Sequence, residues 1–330
     1  MLQLSQIIIR GNEAMKKCKF EQGMGGYVHN INKSNYEQYA TPKSDYEVTD
    51  NGVKKAYAIC PYCDNPIMLY GIVSTLEKRR SYGAHMRKNV KSFVYNESTF
   101  IYCPAYTGRR TVQKNDRRDH MEPINREIYN SLRNNFSSAI YILSQDMGIR
   151  LKYRSESLLR GYMASRAYMY YGATLYNIPW MLLYFSGEYI NLWHSVVIEG
   201  SWIYDFLKER SDVKLVNLKN DNGKPTKSYQ VEKCGRWLDL RLDFVEHKRE
   251  YDRENDELNE TIIARISTRD YGSKYMTATG EIAYHDKVVK KQKLRINEYR
   301  YPNLILSEKR IINNDLEQIA QRIIPELREE

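Results

Sequence analysis

The tightest constraint on how this chain can fold is Cys60-Pro61-Tyr62-Cys63, which brings two thiols together in a short turn. Such a turn is the common first half of a tetrahedral metal site, and a closed site needs two more donors. The next donors downstream are His85 and Cys103, giving the spacing C-x2-C-x21-H-x17-C. Cys103 is followed by Pro104 as Cys60 is by Pro61, which predicts a second turn of similar shape. Three thiolates and one imidazole suit zinc, and four protein ligands leave no open position for a water nucleophile. The expected ion is therefore a structural Zn. The spacings are wider than those of short zinc fingers, so Cys18, His29 or His120 stand as alternatives to His85 or Cys103. A structural zinc contributes on the order of 10 kcal/mol of folding free energy to a small module.

Cys-Pro-Tyr-Cys is also a redox motif, in which the first thiolate sits at a helix N-terminus that lowers its pKa. Here Asp64-Asn65-Pro66 follows, and Pro66 would fall inside the required helix while pushing Asn65 away from helical angles. Metal ligation is the better reading. The count of five cysteines is odd, which fits a reducing compartment and a cytoplasmic location better than a disulfide framework. The opening residues Met1 to Arg10 lack a basic leader and a small-residue cleavage site, so no secretory signal is expected. The longest apolar run, Ile178 to Phe185, has eight residues and is too short for a membrane span.

Charge narrows the choice of partner. The chain of 330 residues carries a formal +10, and between Lys78 and Arg118 eleven basic residues face only Glu97 and Asp116. A local excess of this size repels itself unless an anion is near, and phosphate backbones are the commonest such anion. Arg79, Arg80, Arg87, Lys88, Arg109, Arg110, Arg117 and Arg118 are the expected phosphate contacts, with Tyr82, Tyr95 and Tyr106 as stacking groups. The competing reading is a solvated basic surface around a small metal module. Tyrosine outnumbers phenylalanine 29 to 7, which fits half-buried surfaces, stacking platforms or simply the codon bias of an AT-rich genome.

The pattern of apolar residues predicts an α+β chain in four segments. Residues 1–50 read as a short helical start and a polar loop, and residues 51–118 as the basic Cys3His zinc module. Residues 119–210 form a helical unit. Ile128, Leu132, Phe136, Ile140 and Leu143 make one apolar stripe, and a second helix begins at Ser155 and ends at Gly172. Pro179 opens a third, and a fourth lies near 200–210. Residues 211–330 change to a period of two. Leu238, Leu240, Leu242 and Phe244 alternate with charged residues, and Asp221-Asn222-Gly223 marks a hairpin. A terminal helix is expected with Ser307 as its cap and Ile312, Leu316, Ile319 and Ile323 on one face. The fold class is thus a small zinc-stabilised N-terminal module, a central helical unit, and a C-terminal antiparallel β-sheet with a terminal helix.

Catalytic chemistry is hard to find. Glu246-His247-Lys248 follows a predicted strand, and Glu246, Lys248, Asp239 and Asp243 could hold magnesium for phosphodiester cleavage if they converge. That makes a magnesium-dependent nuclease one alternative, and a non-enzymatic protein-binding adaptor another. His194 reads as a hydrogen-bonded core histidine. Neither a phosphate loop nor an H-E-x-x-H motif is present.

Ile59-Cys60-Pro61-Tyr62-Cys63-Asp64-Asn65-Pro66-Ile67, then Tyr82-Gly83-Ala84-His85, Tyr102-Cys103-Pro104 and Asn177-Ile178-Pro179-Trp180 form a series. It resembles a group of uncharacterised bacterial proteins often carried on mobile elements. The resemblance spans most of the chain after residue 55. It implies that Cys60, Cys63, His85 and Cys103 act together, and it suggests a setting in DNA maintenance, mobile-element biology or phage defence. The leading expectation is a zinc-containing nucleic-acid-binding protein, DNA or RNA undecided, with no membrane association.

Overall fold

Two consecutive left-handed residues, Asn51 and Gly52 (φ 50° and 77°), make the tight turn that pairs the first two strands of the Cys/His region. Positive φ at both central residues matches the right-handed twist of the strands they join. The computed structural model describes residues 15–23, 26–73, 81–106, 110–187, 189–235, 238–252, 255, 257–277, 279, 282–296, 300–307 and 310–327. These form an α+β fold of ten helices and four antiparallel sheets among the described residues. The helical start expected near the N-terminus lies outside them. No described helix is long and apolar enough to cross a membrane.

The chain divides into two compact units. The first comprises Met1–Glu127, Tyr170–Leu175 and Arg249–Asn259. It opens with β1 (Lys17–Cys18) paired with β2 (His29–Asn30), then α1 (Lys33–Tyr39) and α2 (Lys43–Tyr46). A four-stranded antiparallel sheet follows in simple order: β3 (Glu47–Asp50), β4 (Val53–Ile59), β5 (Pro66–Tyr70) and β6 (Tyr82–His85). A short helix α3 (Glu97–Phe100) is capped by the Asn96 side chain. Ala56, Ala58, Ile67 and Leu69 are buried in one core with Phe20, Tyr36, Tyr46, Cys60 and Cys103. Leu258 and Tyr251 join that core from Arg249–Asn259.

The second unit holds the helices and the long strands. The apolar stripe from Ile128 to Leu143 is fully buried, but it belongs to two helices, α4 (Pro123–Asn134) and α5 (Phe136–Met147). Asn135 separates them, its side chain donating to the Ser131 carbonyl and so competing with the helix ladder. The helix α6 (Ser155–Ala164) starts where expected but stops eight residues before Gly172, because Arg166 turns left-handed at φ 50°. Next come α7 (Ile178–Tyr184), with Pro179 in its first turn, and β7 (Ile190–Asn191). Then come β8 (Val196–Ile198) and α8 (Trp202–Lys208), capped by Ser201. The predicted hairpin is β9 (Val213–Lys219) against β10 (Pro225–Lys233), and β8 completes a three-stranded sheet on the other edge of β10.

The long strands β11 (Leu238–Asp252), β12 (Glu257–Met276) and β13 (Ile282–Arg295) form a four-stranded sheet with β7, in the order β13-β12-β11-β7. Leu240, Leu242, Phe244, Ile262, Ala264, Ile266 and Leu294 are buried along its inner face. The C-terminal end differs from expectation. Ser307 follows α9 (Arg300–Leu306) instead of starting a helix, and Ile312 is 67% exposed. The last helix, α10 (Asn314–Ile323), is capped by Asn313, whose side chain accepts the Leu316 amide, with Asp315 and Glu317 in its first turn. An asparagine cap followed by acidic residues satisfies both the free amides and the helix dipole, which Ser307 does not.

Candidate metal centre and its surroundings

The C-x-x-C turn is the connection between β4 and β5. Ile59 pairs with Pro66, the Cys60 amide donates to the Asn65 carbonyl at 2.8 Å, and the Asp64 amide donates to the Cys60 carbonyl at 3.0 Å. Asp64 takes φ 63°, so the chain reverses into a strand and not into a helix. That geometry removes the helix N-terminus on which thiol redox chemistry of this motif depends. His85 comes from the end of β6, where it pairs with Ile67. Cys103 follows α3 in a turn of its own, its amide donating to the Phe100 carbonyl at 2.9 Å.

Four donors scattered over the sequence therefore meet. One ligand atom from each of Cys60, Cys63, His85 and Cys103 lies within 4.8 Å of all the others. Cys60 Sγ is 3.9 Å from Cys103 Sγ, and His85 Nε2 is 3.4 Å from Cys63 Sγ and 3.5 Å from Cys103 Sγ. A tetrahedral ion with Zn–S near 2.3 Å and Zn–N near 2.0 Å requires edges of about 3.8 Å between sulfurs and about 3.5 Å between sulfur and nitrogen. The donor set fits such an ion, and the sulfurs are too far apart for a disulfide. Cys18, His29 and His120 are not members of this cluster. Cys18 is a buried thiol pushed up to about 12 by burial, and His29 stacks on Tyr39 with ring centroids 4.0 Å apart.

The electrostatics favour a cation at the centre. Burial pushes the Cys60 thiol up, and burial also raises Cys103. At Cys63 burial acts the same way, but hydrogen bonds with Cys103 and Cys60 and the charge of His85 outweigh it and hold the thiol well below its usual range. Burial opposes a charged imidazole at His85, yet the Cys103 and Cys63 sulfurs override that and raise it well above its ordinary value. Sulfurs that favour a positive partner inside a buried pocket are the donors a divalent cation requires.

Asn65 organises the surroundings, a role the sequence reading did not assign. It is fully buried. Its amide donates to the Cys63 carbonyl at 3.1 Å and to Thr99 Oγ1 at 2.7 Å, while its carbonyl oxygen accepts the Asn96 amide at 2.6 Å. These bonds tie the turn bearing Cys63 to the segment that delivers Cys103. Behind the turn Lys19, also fully buried, pairs with Asp64, which in turn accepts the Gly23 amide at 2.9 Å. The signal for Asn65 was present in Cys-Asp-Asn-Pro, but nothing in one sequence says which polar residue of a turn is buried.

The proposed contacts for nucleic acid separate into distinct groups. Arg79, Arg80 and Arg109 lie outside the described residues. Arg87 and Lys88 are exposed beside His85, with the Arg87 guanidinium 5.0 Å from the Phe100 ring centroid and 5.3 Å from that of Tyr106. Tyr95 and Tyr106 pack against the same Phe100 at 5.9 Å and 4.3 Å. Arg110 is exposed. Tyr82 is half-buried and stacks on Tyr70 at 4.8 Å, nearly parallel. Arg117 donates to the Lys114 carbonyl at 2.6 Å and lies over Tyr170. Arg118 must be corrected. It is 3% exposed, donates to the Tyr170 carbonyl at 3.2 Å, pairs with Glu122 and lies over Tyr171, so its charge is spent inside the fold.

The nuclease constellation does not assemble among the described residues. Asp243 is held by Arg265 at 2.9 Å and Asp239 by Arg241 at 3.1 Å, while Glu246 and Lys248 pair with each other at 3.8 Å. These carboxylates form no metal-ligating group. His194 is exposed and not the core histidine expected; it lies in a left-handed turn beside β8, its main-chain amide bonded to the Val231 carbonyl at 2.8 Å. Comparison with protein-family models, with curated proteins and with solved structures finds no match to this chain.

Proposed function

We propose that this is a zinc-containing nucleic-acid-binding protein. Cys60, Cys63, His85 and Cys103 hold one structural Zn2+, and the exposed basic and aromatic side chains of the same unit meet phosphates and bases. The observation that carries the reading is the convergence of four donors at the edge lengths of a zinc tetrahedron. Arg87, Lys88, Lys91 and Arg110 supply exposed charge in the same unit, and Arg87 lies against Phe100 and Tyr106. Arginine next to aromatic rings suits stacked bases as well as phosphates. The resemblance noted in the sequence carries no activity of its own and suggests a setting in DNA maintenance, mobile-element biology or phage defence.

Elemental analysis of the purified protein tests the metal, with one zinc per chain expected. A fluorescence-anisotropy titration with labelled single- and double-stranded DNA and RNA tests the partner. Binding should weaken steeply with salt and fall in Arg87→Glu/Lys88→Glu. No binding to any of the four probes at about 50 mM salt would refute the assignment.

A further inference from the structure

The outer face of the four-stranded sheet in the second unit carries exposed rings and unspent charge that its packing does not require. Side chains alternate across the sheet, so the odd-numbered residues opposite Leu240, Leu242, Ile262 and Ala264 point outward. They include Arg265 and Arg269, with Lys291 paired to Arg265 and Lys293 paired to Ile263 across the β12–β13 ladder, while Arg241 at the same parity on β11 is buried. Each arginine is matched: Arg265 by Asp243, Arg269 by Asp286 at 2.7 and 2.8 Å, and Arg241 by Asp239. Lys291 and Lys293 are exposed and make no ion pair among the described residues.

Aromatic rings stand elsewhere on the same sheet, Tyr271 six residues along β12 from Arg265, the partner of Lys291, and Tyr189 just before β7. Tyr189 is 44% exposed, with the Arg241 guanidinium 4.1 Å from its ring centroid. Tyr271 is 39% exposed, stands edge-on to Tyr284 with ring centroids 5.0 Å apart, and donates its hydroxyl to Asp239. Lysines on an edge strand guard against edge-to-edge pairing, which accounts for the charge on β13. Edge protection does not account for rings held outward by an arginine and an aspartate.

We propose that this sheet face binds single-stranded nucleic acid, with Lys291 and Lys293 on phosphates and Tyr189 and Tyr271 under bases. A sheet that carries exposed rings at two strands and exposed cations on a third can stack unpaired bases while its cations meet the backbone that joins them. A duplex is the poorer fit, because its major groove admits a two-stranded ribbon and not a four-stranded sheet. The site stands on the second unit alone and does not require the first to bind.

The test uses the full chain and labelled oligo(dT) and oligo(U) of about 20 nucleotides, enough to exceed a single-domain footprint. A hairpin duplex serves as the third probe. Lys291→Glu/Lys293→Glu should weaken both single-stranded probes at least about tenfold and flatten the salt slope by about 1.4. Lys291→Gln/Lys293→Gln, which removes charge without adding any, should flatten the slope in the same direction. Tyr271→Leu should cost about fivefold or more with an unchanged slope, since stacking is lost and no phosphate contact is. Equal losses on oligo(dT) and oligo(U) mean that the site ignores the 2′-hydroxyl, and a larger loss on one names the strand it takes.

Wild-type affinity and slope in both lysine variants would overturn the proposal, as would a preference for the duplex. Arg87→Glu/Lys88→Glu is measured alongside. If that variant alone loses binding, the sheet face is refuted and the first unit's assignment stands. If only the lysine variants lose it, the sheet is the site and the first unit's assignment falls.

Discussion

Chelating the metal should unfold one compact unit and leave the other standing. The donors sit at 0% (Cys60), 5% (Cys63) and 1% (Cys103) exposure, so an ion held there would be enclosed by the same core that contains Phe20, Ile67 and Leu69. A structural zinc contributes an apparent 10–16 kcal/mol or so near neutral pH. A whole domain has only about 5–15 kcal/mol of net stability. Without the ion, the first unit should therefore lie at or beyond its folding limit. The second unit has its own core around Ile128, Phe136, Leu143 and Trp180 and holds none of the four donors. Thiol labelling gives a sharp readout. Cys234 is the exposed cysteine of five, so the native protein should react at one thiol and the chelated protein at five. Calorimetry should lose one of two transitions at the same time. The reasoning is refuted if zinc-free protein still labels at one thiol and melts unchanged.

Three further outcomes follow from particular contacts. Asn65→Ala orphans the Asn96 amide and takes one donor from the Thr99 hydroxyl, which keeps its bond to the Asn96 carbonyl, and should cost about 1–3 kcal/mol, read as a lower urea midpoint. It should also weaken zinc about ten- to a hundredfold in a chelator competition, because it fixes the backbone of a ligand. Gly161→Ala would drive a Cβ into the Ser186 carbonyl, so thermal melting of the second unit should fall by about 1–3 kcal/mol or more. Glu127→Gln tests a half-buried carboxyl whose pKa is raised by burial first and by Asp64 second, with Lys19 opposing. A carboxyl raised in the folded state stabilises when protonated, and that contribution is lost as pH rises through its folded pKa. Glutamine copies the protonated form, so the variant should melt higher at neutral pH and match wild type near pH 4 or below. A lower melting temperature at neutral pH would contradict this.

The metal centre was legible because its constraint is chemical: thiols and imidazoles are rare, and zinc accepts few combinations of them. Spacing alone could not choose between His85 and His29, since both follow strand-forming residues. The choice was made by β6 pairing with β5, which carries His85 to the open side of the turn. The strands and the alternation at Leu240, Leu242 and Phe244 were legible for a similar reason, as a period of two leaves little ambiguity. Helix boundaries were not. Asn135 and Arg166 stop helices through local side-chain bonding and a left-handed φ, and neither alters the apolar spacing. The burial of Lys19, Asn65 and Arg118 was equally hidden, because each is a polar residue whose partners come from distant parts of the first unit.

Charge was the least transparent property, because a sequence window counts residues while a phosphate meets only groups not already spent. Between Lys78 and Arg118 the count overstates the available surface. Arg118 is internal and Arg117 donates to backbone carbonyls. For β13 the count understates it. Lys287, Lys290, Lys291, Lys293 and Arg295 are preceded by Glu250, Asp252, Glu254, Asp256 and Glu257, so the C-terminal region reads as nearly neutral. Arg249–Asn259 is grouped with the first unit and β13 with the second. On β13, Lys291 and Lys293 are exposed and make no ion pair among the described residues. Screening at physiological salt acts over about 8 Å, so it is this local arrangement, and not the chain's overall +10, that a nucleic acid would meet. A salt slope measured on the intact chain would sum both surfaces, and only charge variants made separately in each unit can divide it.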